Sequence, residues 1–123
     1  MKALSASALV ACGGALGARM RVWLSVGLAT YAVTHLPFAS FTANVVGSFA
    51  IGVLSVVLGG HFPAVAFLMT GVLGGFTTFS SFSLETVRMM SDGRVMSALA
   101  YVGASVVMCI AAAAFGIAVA RAA

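Results

Sequence analysis

The chain has 123 residues, 63% of them hydrophobic and 7% charged, with a formal net charge of +4. A soluble domain carries about 25% charged residues, so this composition excludes a soluble surface and describes an all-α integral membrane protein. The six basic residues, Lys2, Arg19, Arg21, Arg88, Arg94 and Arg121, form no patch; they read as helix-end charges and exclude a nucleic-acid partner.

A membrane-spanning helix needs roughly 20 apolar residues, which leaves room for four spans in a single membrane domain and for no soluble domain. The first helix is predicted over about 3–28. It begins with the apolar run "ALSASALVACGGALGA" and carries Arg19 and Arg21 in its outer half, where they can snorkel or face a vestibule. Lys2 and "LVAC" resemble a lipoprotein signal ending at Cys12. The apolar pattern continues past Cys12 through three more runs, and the segment is read as a helix. Trp23 and Tyr31 are expected interface anchors, and "THLPF" is a linker stopped by Pro37. The second helix is predicted over about 40–60, the third over 64–90 and the fourth over 94–120, with "SDG" (91–93) as a tight turn. His35 and His61 fall in loops. Cys12 and Cys109 lie far apart and form neither a disulfide nor a metal pattern.

Small residues recur four apart: Gly13 and Gly17, Ala43 and Gly47, Ser48 and Gly52, Gly71 and Gly75. Such pairs let helix backbones approach closely. With four spans, Lys2 and Arg121 share one side, and Arg19, Arg21, Arg88 and Arg94 share the other. So weak a bias lets the chain insert either way up, which permits a dimer of oppositely inserted copies with a two-fold axis in the membrane plane.

Polar residues inside the apolar runs mark the candidate site. Asn44 is either an interhelical hydrogen-bonding residue or a donor to an anion. In "GGFTTFSSF" (74–82), Gly74-Gly75 weakens the third helix near its middle, and Thr77, Thr78, Ser80 and Ser81 can hydrogen-bond back to freed carbonyls. A helix broken there exposes carbonyls one way and N–H groups the other, a site for a small ion. Phe76, Phe79 and Phe82 recur every three residues. They are a packing stripe, or they offer positive ring edges to an anion. Tyr101, Ser105 and Cys109 form a weakly polar stripe on the last helix. Glu85 and Arg88 are spaced to pair at a helix end. No Ser–His–acid set, carboxylate pair or P-loop occurs, so an enzyme is not expected. A small multidrug-type exporter would need a carboxylate in the first helix, and this one has none. A non-transporting scaffold leaves the polar third helix unexplained.

"GGALGARMR" (13–21), "TANVVGSFAIG" (42–52) and above all "GVLGGFTTFSSFSLET" (71–86) closely resemble the Fluc/CrcB family of fluoride channels. The resemblance runs the length of the chain. It implies an antiparallel, dual-topology homodimer in the bacterial inner membrane, surrounded by lipid, with two fluoride pathways that passively export cytoplasmic fluoride. Asn44, Phe79, Phe82, Ser80, Ser81, Tyr101, Ser105 and Cys109 would line the pathway, Cys109 replacing the serine often found there. A structural Na⁺ on the two-fold axis would be held by the carbonyls of Gly74 and Thr77. Arg21 would match the arginine after the first-helix glycine motif, and Arg21 and Glu85 would be vestibule or helix-end charges.

Overall fold

The computed structural model describes residues 3–29 and 36–123. Lys2, Tyr31 and His35, with the roles expected of them, lie outside the described residues. Four helical spans run through the rest, each long and apolar enough to cross a membrane. The first is α1 (Ala3–Ala29) and the second α2 (Phe38–Val57). The third, Phe62–Ser91, is composite. It comprises α3 (Phe62–Ala64), a π-helical segment Val65–Leu73, α4 (Gly74–Phe76) and, after two extended residues, α5 (Phe79–Ser91). The fourth is α6 (Val95–Ala122).

Helix ends follow local chemistry. The second helix was expected to reach residue 60 but stops at Val57, because Gly59 and Gly60 take left-handed φ values of 52° and 83°. The "SDG" turn ends α5 in a Schellman motif. Gly93 has φ 76°, its N–H donates to Met90 O (3.0 Å), and Arg94 N–H donates to Met89 O (2.9 Å).

The third span is interrupted, but not at its glycines. Gly74–Phe76 stays helical, and the backbone extends at Thr77 (φ −81°, ψ 158°) and Thr78 (φ −154°, ψ 115°). The expected break at Gly74-Gly75 is therefore displaced by about one turn. Gly75 provides proximity instead of a break: a Cβ there would run into the Gly14 carbonyl of α1. At Thr78 the side-chain hydroxyl offers a local hydrogen bond that competes with the helical ladder, taking the Ser81 N–H. The π winding ahead of the break was not expected either. It brings Gly71 against Gly13 of α1 and leaves Gly74 N–H donating to both Met69 O and Gly71 O.

Two helix pairs organise the chain. α1 packs along the π-helical segment and α4, and α2 packs along α6, which also receives α5. The glycines expected to mark close approach do so. A Cβ on Gly13 would meet Phe67 O, one on Gly17 would meet Val72 O, and one on Gly52 would meet Ala113 O. Gly116, which falls in no small-xxx-small pair noted in the sequence, lies against Phe49 O. The core proper is small. Phe82, Met89, Ala98 and Tyr101 cluster beneath Leu36, Phe41 and Val102. Large apolar side chains such as Trp23, Val26, Val107, Ile110 and Phe115 point outward, as lipid contact requires. The Arg19 guanidinium lies 4.9 Å over the Trp23 ring, a cation–π contact that lets a charge rest on an apolar face.

This packing gives an internally controlled prediction. Gly17→Ala places a methyl group into backbone and should cost about 1–3 kcal/mol. Gly27→Ala meets nothing within 4 Å and should be neutral or stabilise by up to about 1 kcal/mol through helix propensity. Thermal unfolding in detergent compares the two; equal midpoints would show that the α1 contact is not tight.

Candidate functional site

The break builds the site because each displaced backbone group must find another partner. Thr77 closes the first half of the span: its N–H and its hydroxyl both donate to Leu73 O at 2.9 Å. Thr78 N–H turns away from Gly74 O and donates to Asn44 Oδ1 (2.8 Å), while Asn44 Nδ2 donates to Thr78 O (3.0 Å). The Asn44 side chain thus pairs with one backbone unit through both its ends, as a neighbouring strand would. Thr78 Oγ1 accepts from Ser81 N–H at 3.1 Å and caps α5. Gly75 O, carried away from its helical donor, accepts from Arg21 Nε of α1 at 3.3 Å.

Two consequences follow. Gly74 O and Thr77 O lose their ordinary donors, Thr78 N–H and Ser81 N–H, to side chains. The N-terminus of the 13-residue α5 opens beside them, with its first N–H groups lacking a preceding turn. Negative and positive helix ends, each equivalent to about half a charge, therefore meet across two residues.

Beside the break lies a cavity of about 460 Å³. Of the expected site residues, Asn44, Gly74, Thr77, Phe79, Phe82, Ser105 and Cys109 line it, with Thr78 and Met69. The Phe79 and Phe82 rings are 5.4 Å apart and inclined at 44°. The phenylalanine stripe is divided: Phe76 and Phe82 are buried, whereas Phe79 is 77% exposed and packs little within its own chain. Ser105 is only 5% exposed, and its hydroxyl has no hydrogen-bond partner. Such a buried, unpaired group costs about 1–3 kcal/mol, which favours a ligand that would accept its proton or donate to it.

Other expected residues lie elsewhere. Ser80 is exposed, with its hydroxyl 3.5 Å from Thr78 Oγ1, and Ser81 contributes its N–H to the cap. Tyr101 is buried against Phe82 (ring centroids 5.2 Å apart), and its hydroxyl donates to Glu85 Oε2 at 2.9 Å. Ser40 Oγ donates to Glu85 Oε1 at 2.7 Å. Glu85 thus sits mid-helix between two hydroxyls, and among the described residues it forms no ion pair with Arg88, contrary to the expected helix-end pairing. Arg21 likewise lies within α1 and reaches the broken span. Ser40 and the backbone of Thr78 were the partners missed from the sequence. No local pattern marks Ser40, which is 45 residues from Glu85. Thr78 stood out only as a possible donor, not as the backbone partner of Asn44.

Residues 8–117 match the family model described as CrcB-like protein, Camphor Resistance (CrcB). The chain belongs to the CrcB family. It is 49% identical over 117 residues to a protein of Rhodospirillum centenum named fluoride-specific ion channel FluC, covering 91% of this chain and 92% of the relative. Identically named proteins of Cereibacter sphaeroides and Agrobacterium fabrum are 48% and 42% identical over 91% and 93% of this chain, and over 91% and 94% of their own lengths. These CrcB relatives are ion channels, not enzymes, and with four spanning helices the chain is a multi-pass membrane protein.

The paired amide and the cap make separable predictions. Thr78→Val removes the α5 cap and should lower stability by about 1 kcal/mol. Asn44→Ala strips both partners from the Thr78 backbone and should cost more, about 2–3 kcal/mol. Thermal unfolding of the purified variants checks the order.

Proposed function

We propose that the chain forms a passive, fluoride-selective channel in the bacterial inner membrane that exports cytoplasmic fluoride. Two antiparallel copies would assemble with a pore on each side of the interface. The relatives named fluoride-specific ion channels support the ion. Within the chain, the observation that carries the reading is the exposed Phe79 ring at the open N-terminus of α5, beside Asn44 and the unpaired Ser105 hydroxyl.

Fluoride is small and strongly hydrated, so a narrow path must replace its water with close donors. Asn44 has one amide hydrogen beyond that given to Thr78 O. Ser105 offers a hydroxyl, the first turn of α5 offers N–H groups, and the Phe79 and Phe82 rings offer positive edges. HF crosses the bilayer as a neutral molecule and dissociates inside. The trapped anion then leaves down its gradient, aided by an inside-negative potential.

The antiparallel arrangement fits the weak charge bias of the loops. It also gives the exposed Phe79 a covering partner. A sodium ion on the two-fold axis fits Gly74 and Thr77, because both carbonyls have lost their helical donors and Gly74 is open. Bound there, sodium would supply the positive charge that two orphaned carbonyl dipoles favour.

The test is fluoride efflux from proteoliposomes with chloride as control. Phe79→Ile keeps apolar bulk, removes the ring quadrupole and disturbs little packing, because the residue is 77% exposed. It should reduce fluoride flux by about tenfold or more, the effect of losing about 1.5 kcal/mol of ring contact, with the protein still eluting as a folded species. Wild-type protein without fluoride efflux would overturn the reading. Asn44→Asp is a poorer probe, since a carboxylate oxygen would face Thr78 O. For topology, C-terminal reporter tags should be accessible from both sides of the membrane; a single orientation throughout would exclude the antiparallel dimer.

A further inference from the structure

We infer that Arg21 positions the broken span and restricts its carbonyl site to singly charged cations. The inference deepens the central-cation reading above and rests on it.

Gly17 of α1 has no side chain, and this lets the α1 backbone lie against Val72 O and Phe76 N. That approach sets the height of Arg21, one turn farther along. Its Nε donates to Gly75 O at 3.3 Å across 54 residues of sequence, in a half-buried position. Arg19, two residues earlier, is exposed and rests over Trp23 instead. Arg21 is thus the cation held at the break.

Gly75 O is the neighbour of Gly74 O on the last turn of α4, where the carbonyls point along the helix axis toward the break. The guanidinium therefore occupies the same negative helix end that would face the bound cation. It removes Gly75 O from the available ligands, leaving Gly74 O and Thr77 O. It also places a permanent positive charge on the carbonyl next in sequence to Gly74 O, since arginine does not deprotonate in proteins. Repulsion from that charge scales with the charge of the incoming ion, and the dehydration cost rises with its square. The carbonyls can offset both for a monovalent ion. Each added unit of ion charge meets the guanidinium again, so a divalent ion is disfavoured.

Arg21→Gln retains a neutral donor for Gly75 O and removes the charge; Arg21→Lys retains the charge on a different donor. The measurement is the thermal midpoint of the detergent-purified, full-length protein, titrated with NaCl or CaCl₂ at constant ionic strength without fluoride. Fluoride efflux is recorded in parallel. Wild type and Arg21→Lys should be stabilised by Na⁺ and not by Ca²⁺. Arg21→Gln should be stabilised by Ca²⁺ at concentrations about tenfold or more below the highest at which wild type shows no response, the scale of one nearby charge at intermediate dielectric. A purely structural Arg21 would lower all midpoints without changing the Na⁺/Ca²⁺ order. An unchanged order in Arg21→Gln overturns the inference and leaves the cation site standing. Ca²⁺ stabilising wild type as well as Na⁺ does overturns it even where Arg21→Gln fails to fold. A wild-type midpoint indifferent to Na⁺ overturns the cation site itself, and the inference with it.

Discussion

Inside hydrocarbon no water is available to a backbone amide, so an interrupted helix persists only where other groups take over its hydrogen bonds. The two extended residues Thr77 and Thr78 impose this condition on the whole chain. Asn44 of α2 takes both the N–H and the C=O of Thr78, the Thr78 hydroxyl takes Ser81 N–H, and Arg21 of α1 takes Gly75 O. The first two spans are thereby tied to the third at one level. The glycine contacts serve the same end: without Gly17 and Gly75 at the α1 contact, Arg21 would stand too far from the break.

The interruption also explains why one site can attract opposite charges. An intact helix separates its positive and negative ends by its full length, about 1.5 Å per residue. Here the carbonyl end of α4 and the N–H end of α5 face each other across Thr77 and Thr78. Arg21 reduces the negative potential on one side. Phe79 and Phe82 line the cavity on the other, in place of hydrated polar groups. Glu85, the carboxylate nearest in sequence to the rings, is occupied by Ser40 and Tyr101. In the proposed channel that placement would keep a bare carboxylate from standing at the anion's approach.

The features legible in the sequence were those with a period or a repeated spacing. Apolar runs separated by Pro37, Gly59-Gly60 and "SDG" located four spans, and glycines four apart located the backbone contacts. The interruption itself was legible, but its position was displaced by about one turn. Gly74-Gly75 reads as a helix breaker because glycine is a poor helix former in water. In a packed membrane helix, the missing Cβ matters more for approach, and Gly75 remains helical against Gly14. The actual break lies where the Thr78 hydroxyl and the Asn44 amide offer alternative partners. The Ser40–Glu85–Tyr101 set joins three helices and leaves no local trace, so pairing Glu85 with Arg88 three positions along one helix face was the simpler expectation. Arg21 followed the same logic: sequence distance gave no sign of Gly75.

What remains unsatisfied in one chain indicates what must complete it. Among the described residues no large side chain is fully buried, yet exposed apolar surface is no defect in a bilayer, because lipid tails cover it as well as protein does. The deficits that lipid cannot meet are polar: Gly74 O and Thr77 O without donors, and the Ser105 hydroxyl without a partner. All three residues line the same cavity as the exposed Phe79 ring. More apolar cover would leave each of these groups unpaired. In the proposed channel, ions would satisfy them directly: a cation at the carbonyls, an anion at the hydroxyl. A second chain can help only by bringing polar groups of its own or by holding such ions in place, so under the proposed function the chemistry that completes the fold would also select the transported ion.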